Sequence, residues 1–295
     1  MVTQEDGYTR RFGGVGRLFS NAGQEQLRQS HVCVIGLGGV GSWVVEALAR
    51  SGMGELTLVD LDDVCISNVN RQLHAVQTEL GKPKVEAMER RVRAINPECV
   101  LHSLQSFFLK SNADEILRPR FDFVVDAIDS PSLKAFLIAQ CKERGLPVIT
   151  TGGAGGRRDP TQIRVTDLAH TSGDRLLRYV RSLLRKNYRF PRGDRPFGIE
   201  CVYSTEEVLC PAEKGAACEA RTANPDLRLD CDSGLGTACF VTGTFGFVAA
   251  ARVVQAIAGR AAQAPATTPN RRLKFDSTRA ASSESGMPSN SEANA

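Results

Sequence analysis

Asn68, Arg71, Gln72 and Lys84 follow closely behind a glycine turn and an acid, and they are the side chains here best suited to act on a phosphate. The turn is "VIGLGGVGS" at 34–42, which fits G-x-G-x-x-G through Gly36, Gly38 and Gly41, with Gly39 inside it. Such a turn, between a strand and a helix, offers backbone amides and the positive end of a helix dipole to an anion. Gly36 permits the tight bend, Gly38 lets a phosphate approach the backbone, and Gly41 lets the helix pack close. Asp60 follows 24 residues after Gly36, at the end of a second strand pattern, where a carboxylate can accept ribose hydroxyls. To this point NAD, ATP and a turn that merely packs all remain open.

The next residues separate them. "DLDDVCISNVNRQLHA" at 60–75 and "GKPKVEA" at 81–87 place Asp62, Asn68, Arg71, Gln72 and Lys84 beside the nucleotide. Hydride transfer asks for no such cluster. Substitution at an α-phosphate does, because fixed cations stabilise the charge that builds on phosphorus and on departing pyrophosphate. "VVDAIDS" at 124–130 then puts Asp129 at the end of a strand, where it can hold Mg²⁺ on the phosphates. Any one of these charges alone reads as a surface ion pair. Their convergence on one sheet edge favours ATP and Mg²⁺.

The elements that must position these groups follow from periodicity. Strands are predicted at 31–35, 55–60, 99–104, 121–128 and 147–151, with helices at 41–51, 82–95 and 132–144 between them. The alternation predicts an α/β fold, a doubly wound, mostly parallel Rossmann-like sheet. It is extended by antiparallel strands, with 161–168 the candidate, and followed by a C-terminal helix at 238–258. Residues 1–30 read as an N-terminal arm or short helix outside the core. Residues 31–260 read as the nucleotide-binding domain, with 157–235 a basic, loop-rich insertion facing the substrate. Residues 261–295, rich in Ala, Pro, Ser, Thr and Asn, read as a disordered tail.

The net charge of +4 is unevenly distributed. Residues 157–195 hold eleven Lys/Arg against four Asp/Glu, leaving the remainder slightly acidic. The predicted helix at 174–187 carries Arg175, Arg178, Arg181, Arg185 and Lys186 around an apolar side. A basic stripe on a near-neutral body suits nucleic acid, with a plain solvated helix face as the alternative. None of the nine cysteines forms a C-x-x-C pair, so no structural zinc is expected. Cys33 and Cys141 read as core thiols, and Cys201 and Cys231 are weak candidates for a sulfur-linked or structural role. No secretory signal pattern opens the chain, so a cytoplasmic location is expected. The apolar stretch within 237–258 reads as a buried helix, with peripheral membrane association left open.

"GLGGVGS", "D-x-D-x-V-x-x-S-N-x-x-R-Q", "G-x-x-K-V-E", "INP" and "D-A-I-D-S" occur in order over 31–151. This set resembles the ThiF/MoeB family, the bacterial relatives of ubiquitin-activating enzymes. "RRFGG" at 10–14, "TTGGAGGRRDPTQIRVTDL" at 150–168, "ECVYSTE" at 200–206 and "TGTFGFVAA" at 242–250 resemble its tRNA-modifying branch, which dehydrates threonylcarbamoyladenosine. The resemblance implies ATP-dependent adenylation of the threonyl carboxylate and intramolecular ring closure next to the anticodon. It implies that Asp60 binds ribose, that Asn68, Arg71 and Lys84 contact phosphates, and that Asp129 binds Mg²⁺. It further implies a homodimer in which Arg11 reaches the neighbouring subunit's site. No carrier-protein thioester is expected, although a sulfur-carrying or electron-carrying protein is left open as a partner. The alternative within the family is an adenylyltransferase of a ubiquitin-like sulfur carrier. The missing cysteine pairs and the basic segment favour tRNA. Outside the family, an NAD-binding oxidoreductase or a non-catalytic nucleotide sensor fits the glycine turn but not the Asn68, Arg71 and Lys84 cluster.

Overall fold

The computed structural model describes residues 7–211, 217–219 and 235–260. Seven strands form one sheet: β1 (His31–Ile35), β2 (Glu55–Val59), β3 (Val100–Leu104), β4 (Phe123–Asp126), β5 (Val148–Thr151), β6 (Ile163–Asp167) and β7 (Glu200–Ser204). Their order is β3-β2-β1-β4-β5-β7-β6, and every neighbouring pair is parallel except β6 with β7. The helices are α1 (Gly7–Gln29), α2 (Gly41–Arg50), α3 (Lys84–Ile95), the short α4 (Ala113–Ile116), α5 (Pro131–Glu143), α6 (Arg175–Asn187) and α7 (Cys239–Gly259). A separate hairpin pairs β8 (Leu209–Pro211) with β9 (Ala217–Glu219). The doubly wound, mostly parallel sheet with an antiparallel extension and a C-terminal helix is therefore the observed fold.

Side-chain alternation along the strands sorts the core onto two faces. Val32, Val34, Leu56, Leu58, Val125, Ile149 and Val202 point to one face, where they meet apolar residues of α2, α3 and α7. Cys33, Ile35, Val59, Val124, Val148 and Cys201 point to the other, against α5 and α6. Strands buried on both faces are apolar at nearly every position, which is why β1 reads as the unbroken run "HVCVI". The edge strand β3 is only partly covered.

Two segments are more ordered than their composition suggests. The first 30 residues, expected as an arm or short helix, form α1 from Gly7, kinked at Ser20 (φ 66°). Its Tyr8, Phe12 and Leu27 are buried, and the Tyr8 hydroxyl donates to the Gly52 carbonyl at 2.5 Å. Glycines and arginines between these residues hide the apolar stripe. The strand β7, expected among loops and short strands, instead lies inside the sheet between β5 and β6, with 201–204 buried. The helix α7 is the one helix among the described residues long and apolar enough to cross a membrane, and 56% of its apolar window is buried inside the molecule. It packs on α1 and α2 through residues such as Phe245, Ala249 and Val253. Cys231 and the 261–295 tail lie outside the described residues.

If α1 belongs to the core, Phe12→Ala should destabilise the protein by about 3–5 kcal/mol. Chemical denaturation followed by tryptophan fluorescence measures it, and a loss below about 1 kcal/mol would return α1 to the status of an arm.

Candidate active site

The strand order reverses between β1 and β4, and in open parallel sheets ligands bind outside the carboxyl ends of strands at such a switch point. The glycine turn after β1 and the Ala127–Asp129 segment after β4 flank that point. A cleft of about 860 Å³ opens there. Its walls include Gly36, Gly38, Gly39, Asp60, Asp62, Asn68, Arg71, Gln72, Lys84 and Asp129. Gly36 has φ +91°, and a side chain on it would approach the Ala127 carbonyl to 2.7 Å. Gly41 opens α2 so close to the β1 terminus that a Cβ would lie 1.8 Å from the Gly36 carbonyl oxygen. Gly41 therefore shapes the turn from behind without lining the cleft. A Cβ on Gly38 would meet nothing within 4 Å, so this glycine faces open space.

Asp60 braces the turn. Its carboxylate accepts the Leu37 amide at 2.6 Å and the Asp62 amide at 2.9 Å. Burial raises its pKa, opposed by the nearby Lys84 ammonium and those two amides. Lys84, the first residue of α3, lies 2.7 Å from Asp62 and 3.9 Å from Asp60. Asn68 is buried and accepts the Cys65 amide at 3.1 Å. Arg71 is fixed through its backbone: its carbonyl accepts Trp43 Nε1 at 3.0 Å and Thr242 Oγ1 at 3.1 Å. Its Nη1 donates to the Ser67 carbonyl and Asn70 Oδ1, while Nε and Nη2 have no acceptor among the described residues. No carboxylate there pairs with Arg71, so its charge is available to an anion. Gln72 is buried with Oε1 unpartnered among the described residues, an acceptor that a ligand hydroxyl or amine can satisfy.

The two acids of "DAID" divide the work. Asp126 is fully buried, 2.9 Å from the equally buried Lys134 of α5, and accepts Thr150 Oγ1 at 2.7 Å and the Ile128 amide at 3.1 Å. It therefore fixes the loop that presents Asp129, which is exposed on the cleft wall. An accessible carboxylate on this wall is an oxygen donor of the kind that suits Mg²⁺. Behind the lining segment 151–155, Arg157 and Asp174 pair at 3.3 Å with both side chains buried. Asp174 also accepts the Gly153 amide at 2.9 Å and caps α6 through the Leu177 amide at 2.9 Å. Asp126, Lys134, Arg157 and Asp174 were missed as site-building residues. For Asp126 the signal available was a charged residue ending an apolar strand buried on both faces, and for Asp174 its place at the N-cap of α6.

Arg11 does not line this chain's cleft; it lies on α1, with Nη1 3.5 Å from the Ile95 carbonyl. The basic residues of α6 fall into two groups. Arg185 donates to the Pro191 and Gly193 carbonyls and stacks on Phe197, and Arg181 donates to Thr171 Oγ1. Arg175 and Lys186 have no polar partner among the described residues, and Arg178 stacks on Tyr179. Leu176, in the first turn of α6, reaches the cleft wall. Cys201 is a core thiol with its pKa pushed well above the usual range by burial, and so is Cys33. The buried Cys141 is pushed up to about 12.

The ThiF family model matches residues 14–294, and this chain belongs to that family. It is 49% identical over 255 residues to the tRNA threonylcarbamoyladenosine dehydratase of Haemophilus influenzae, covering 86% of this chain and 95% of the relative. Against the enzyme of the same name from Escherichia coli K12 the identity is 43% over 264 residues, 89% of this chain and 98% of that one. The solved structure of the E. coli dehydratase in complex with ATP superposes with a TM-score of 0.77 at 40% identity, covering 88% of this chain and 98% of that one.

Adding a methyl group at Gly38 tests whether this cleft takes a phosphate. Gly38→Ala should fold normally, since its Cβ meets open space, yet weaken ATP binding by about tenfold or more. Isothermal titration gives the answer, and unchanged affinity would place the phosphates elsewhere.

Proposed function

We propose that this chain dehydrates threonylcarbamoyladenosine in tRNA, activating the threonyl carboxylate with ATP. The observation that carries the reading is likeness to dehydratases along 95–98% of their length, around a cleft whose Arg71 lacks a carboxylate partner among the described residues. A carboxylate oxygen leaves poorly by itself and well as part of AMP. When bound, ATP supplies that leaving group, and Mg²⁺ beside Asp129 neutralises phosphate charge. The chain's own residues orient and stabilise. The amides of the 36–41 turn and the helix dipole of α2 receive phosphate, Asp60 is the acceptor nearest the ribose side, and Asn68 and Gln72 line the polar wall. Arg71, with Nε and Nη2 unengaged among the described residues, answers charge that develops at phosphorus, and Lys84 adds a second cation from the start of α3.

Ring closure needs no enzymic thioester. The nucleophile belongs to the same modified nucleoside, so its effective concentration is high once the substrate is held. Cys201, buried with a raised pKa, is unsuited to nucleophilic attack, in keeping with that route. The tRNA lies along α6, where Arg175, Arg178 and Lys186 are the residues for phosphate contact, while Arg181 and Arg185 hold the helix to its own neighbouring segments. Arg11, which does not line this chain's cleft, serves the site of a second copy in a homodimer. A tRNA substrate also places the protein in the cytoplasm.

Incubation with ATP, Mg²⁺ and tRNA carrying the modification should convert the nucleoside to a product lighter by one water, with NAD without effect; mass analysis of the nucleosides reads this. An unchanged nucleoside, with pyrophosphate released only when a ubiquitin-like carrier is supplied, would transfer the reading to a carrier adenylyltransferase. Arg71→Ala should fold normally and lose about 100-fold in rate, the order lost with one transition-state donor; turnover near wild type would remove it from the mechanism. Binding of tRNA should weaken with salt, and Arg178→Ala with Lys186→Ala should flatten log K against log[salt] by roughly 1–2. Arg181→Ala should change that slope less. A slope equal in both variants would move the tRNA off this face.

A further inference from the structure

A second polar cluster lies at the other end of the sheet, outside the cleft. His31 begins β1, Glu55 begins β2 and His102 is the central residue of β3. Strand pairing sets His31 opposite Glu55 and Thr57 opposite His102. Side chains alternate with period two, so Glu55 and Thr57 share a face, and their cross-strand partners join them on it. Three strands distant in sequence thus deliver two imidazoles, a carboxylate and a hydroxyl to one patch. Strand rise puts this patch roughly 16 Å from the glycine turn at the carboxyl end of β1.

Its geometry is that of a metal half-shell. A ligand atom from each of His31, Glu55 and His102 lies within 4.8 Å of the others. His102 Nε2 is 2.8 Å and His31 Nδ1 is 3.4 Å from the same Glu55 oxygen. Donors bound at about 2.0–2.2 Å in a tetrahedral site stand about 3.3–3.5 Å apart, so small rotations would open the trio to an ion. The other His31 nitrogen, Nε2, is 2.8 Å from Thr57 Oγ1, itself buried. With Nδ1 on a metal, Nε2–H donates to that hydroxyl, the outer contact that fixes ring and tautomer at metal-bound histidines. Glu55 and His102 retain 37% and 32% side-chain exposure, which gives an ion a path in and leaves room for water as a further ligand.

We propose that His31, Glu55 and His102 bind one divalent first-row transition ion, with Zn²⁺ as the best fit, at the amino-terminal end of the sheet. Two imidazoles and one carboxylate suit borderline ions rather than Mg²⁺ or Ca²⁺. The lack of C-x-x-C pairs argues against a cysteine-built zinc site only; here strand register gathers histidines instead.

The test is titration of the untagged, chelator-treated full chain with Zn²⁺ by calorimetry, and with Co²⁺ by visible absorption. One ion per chain should bind, with Co²⁺ bands of low coordination number and no sulfur-to-cobalt charge transfer. Loss of an outer contact at metal sites costs about 10–100-fold, so Thr57→Val should weaken Zn²⁺ by that amount, and Glu55→Gln or His102→Ala by at least about 100-fold. ATP affinity should be unchanged in all three, which verifies that they fold. If native protein binds no ion, or if the Glu55 and His102 variants bind it as tightly, the trio is a hydrogen-bonded surface group and the proposal falls. Should one variant fail to fold, the other and Thr57→Val still decide the question.

Discussion

The cleft depends on one contact, the approach of Gly41 to the carbonyl of Gly36. A side chain at Gly41 would come within 1.8 Å of that oxygen, so only glycine allows α2 to start this close to β1. The same packing brings Gly36 against Ala127 at the end of β4, which closes the switch point from behind. Asp60 then ties the second strand to the turn through the Leu37 amide. Three strand ends are thus fixed relative to one another before any ligand arrives. The amides that would receive phosphate need little reorganisation when it does, which is the condition for electrostatic stabilisation of developing charge.

Around that frame the charges are divided between building and reacting. Lys134 and Arg157 sit in buried pairs with Asp126 and Asp174. Such pairs add little net stability but hold neighbouring loops in register, and removing one partner strands a buried charge. The Asp126 pair fixes the loop bearing Asp129, and the Asp174 pair fixes the 152–157 wall while capping α6. Lys84 is held by Asp62, and Arg71 keeps its charge for an anion. The result is a cleft that sets Arg71 and the tethered Lys84 beside the exposed acids Asp62 and Asp129.

Much of this was legible in the sequence. The alternation of apolar strands and amphipathic helices gave the sheet and its parallel order, because β1, β2, β4 and β5 are buried on both faces. The spacing of Gly36, Gly38, Gly41 and Asp60 pointed to the cleft, and backbone geometry demands glycine at 36 and 41. The helix α1 was obscured because Tyr8 and Phe12, one turn apart, and the distant Leu27 stand among glycine and arginine, and nothing local shows that α7 will pack on this helix. The strand β7 was obscured by the proline, glycine and charge on either side of it. Asp126 resembled Asp129 in composition, and only the arrival of Lys134 from α5 assigns them different duties. The His31, Glu55 and His102 trio was invisible for a related reason: strand register, not sequence distance, brings it together.

Everything in this mechanism turns on the substrate's carboxylate oxygen leaving as part of AMP. Isotopic labelling reads this directly: the threonyl carboxylate of the modified tRNA is enriched in ¹⁸O, one turnover is run with ATP, and AMP and inorganic phosphate are analysed by mass. One ¹⁸O in AMP and none in phosphate is the predicted result. Label in inorganic phosphate, or AMP without label, would mean that the carboxylate is not activated at the α-phosphate and would contradict the roles assigned here to the glycine turn and Arg71.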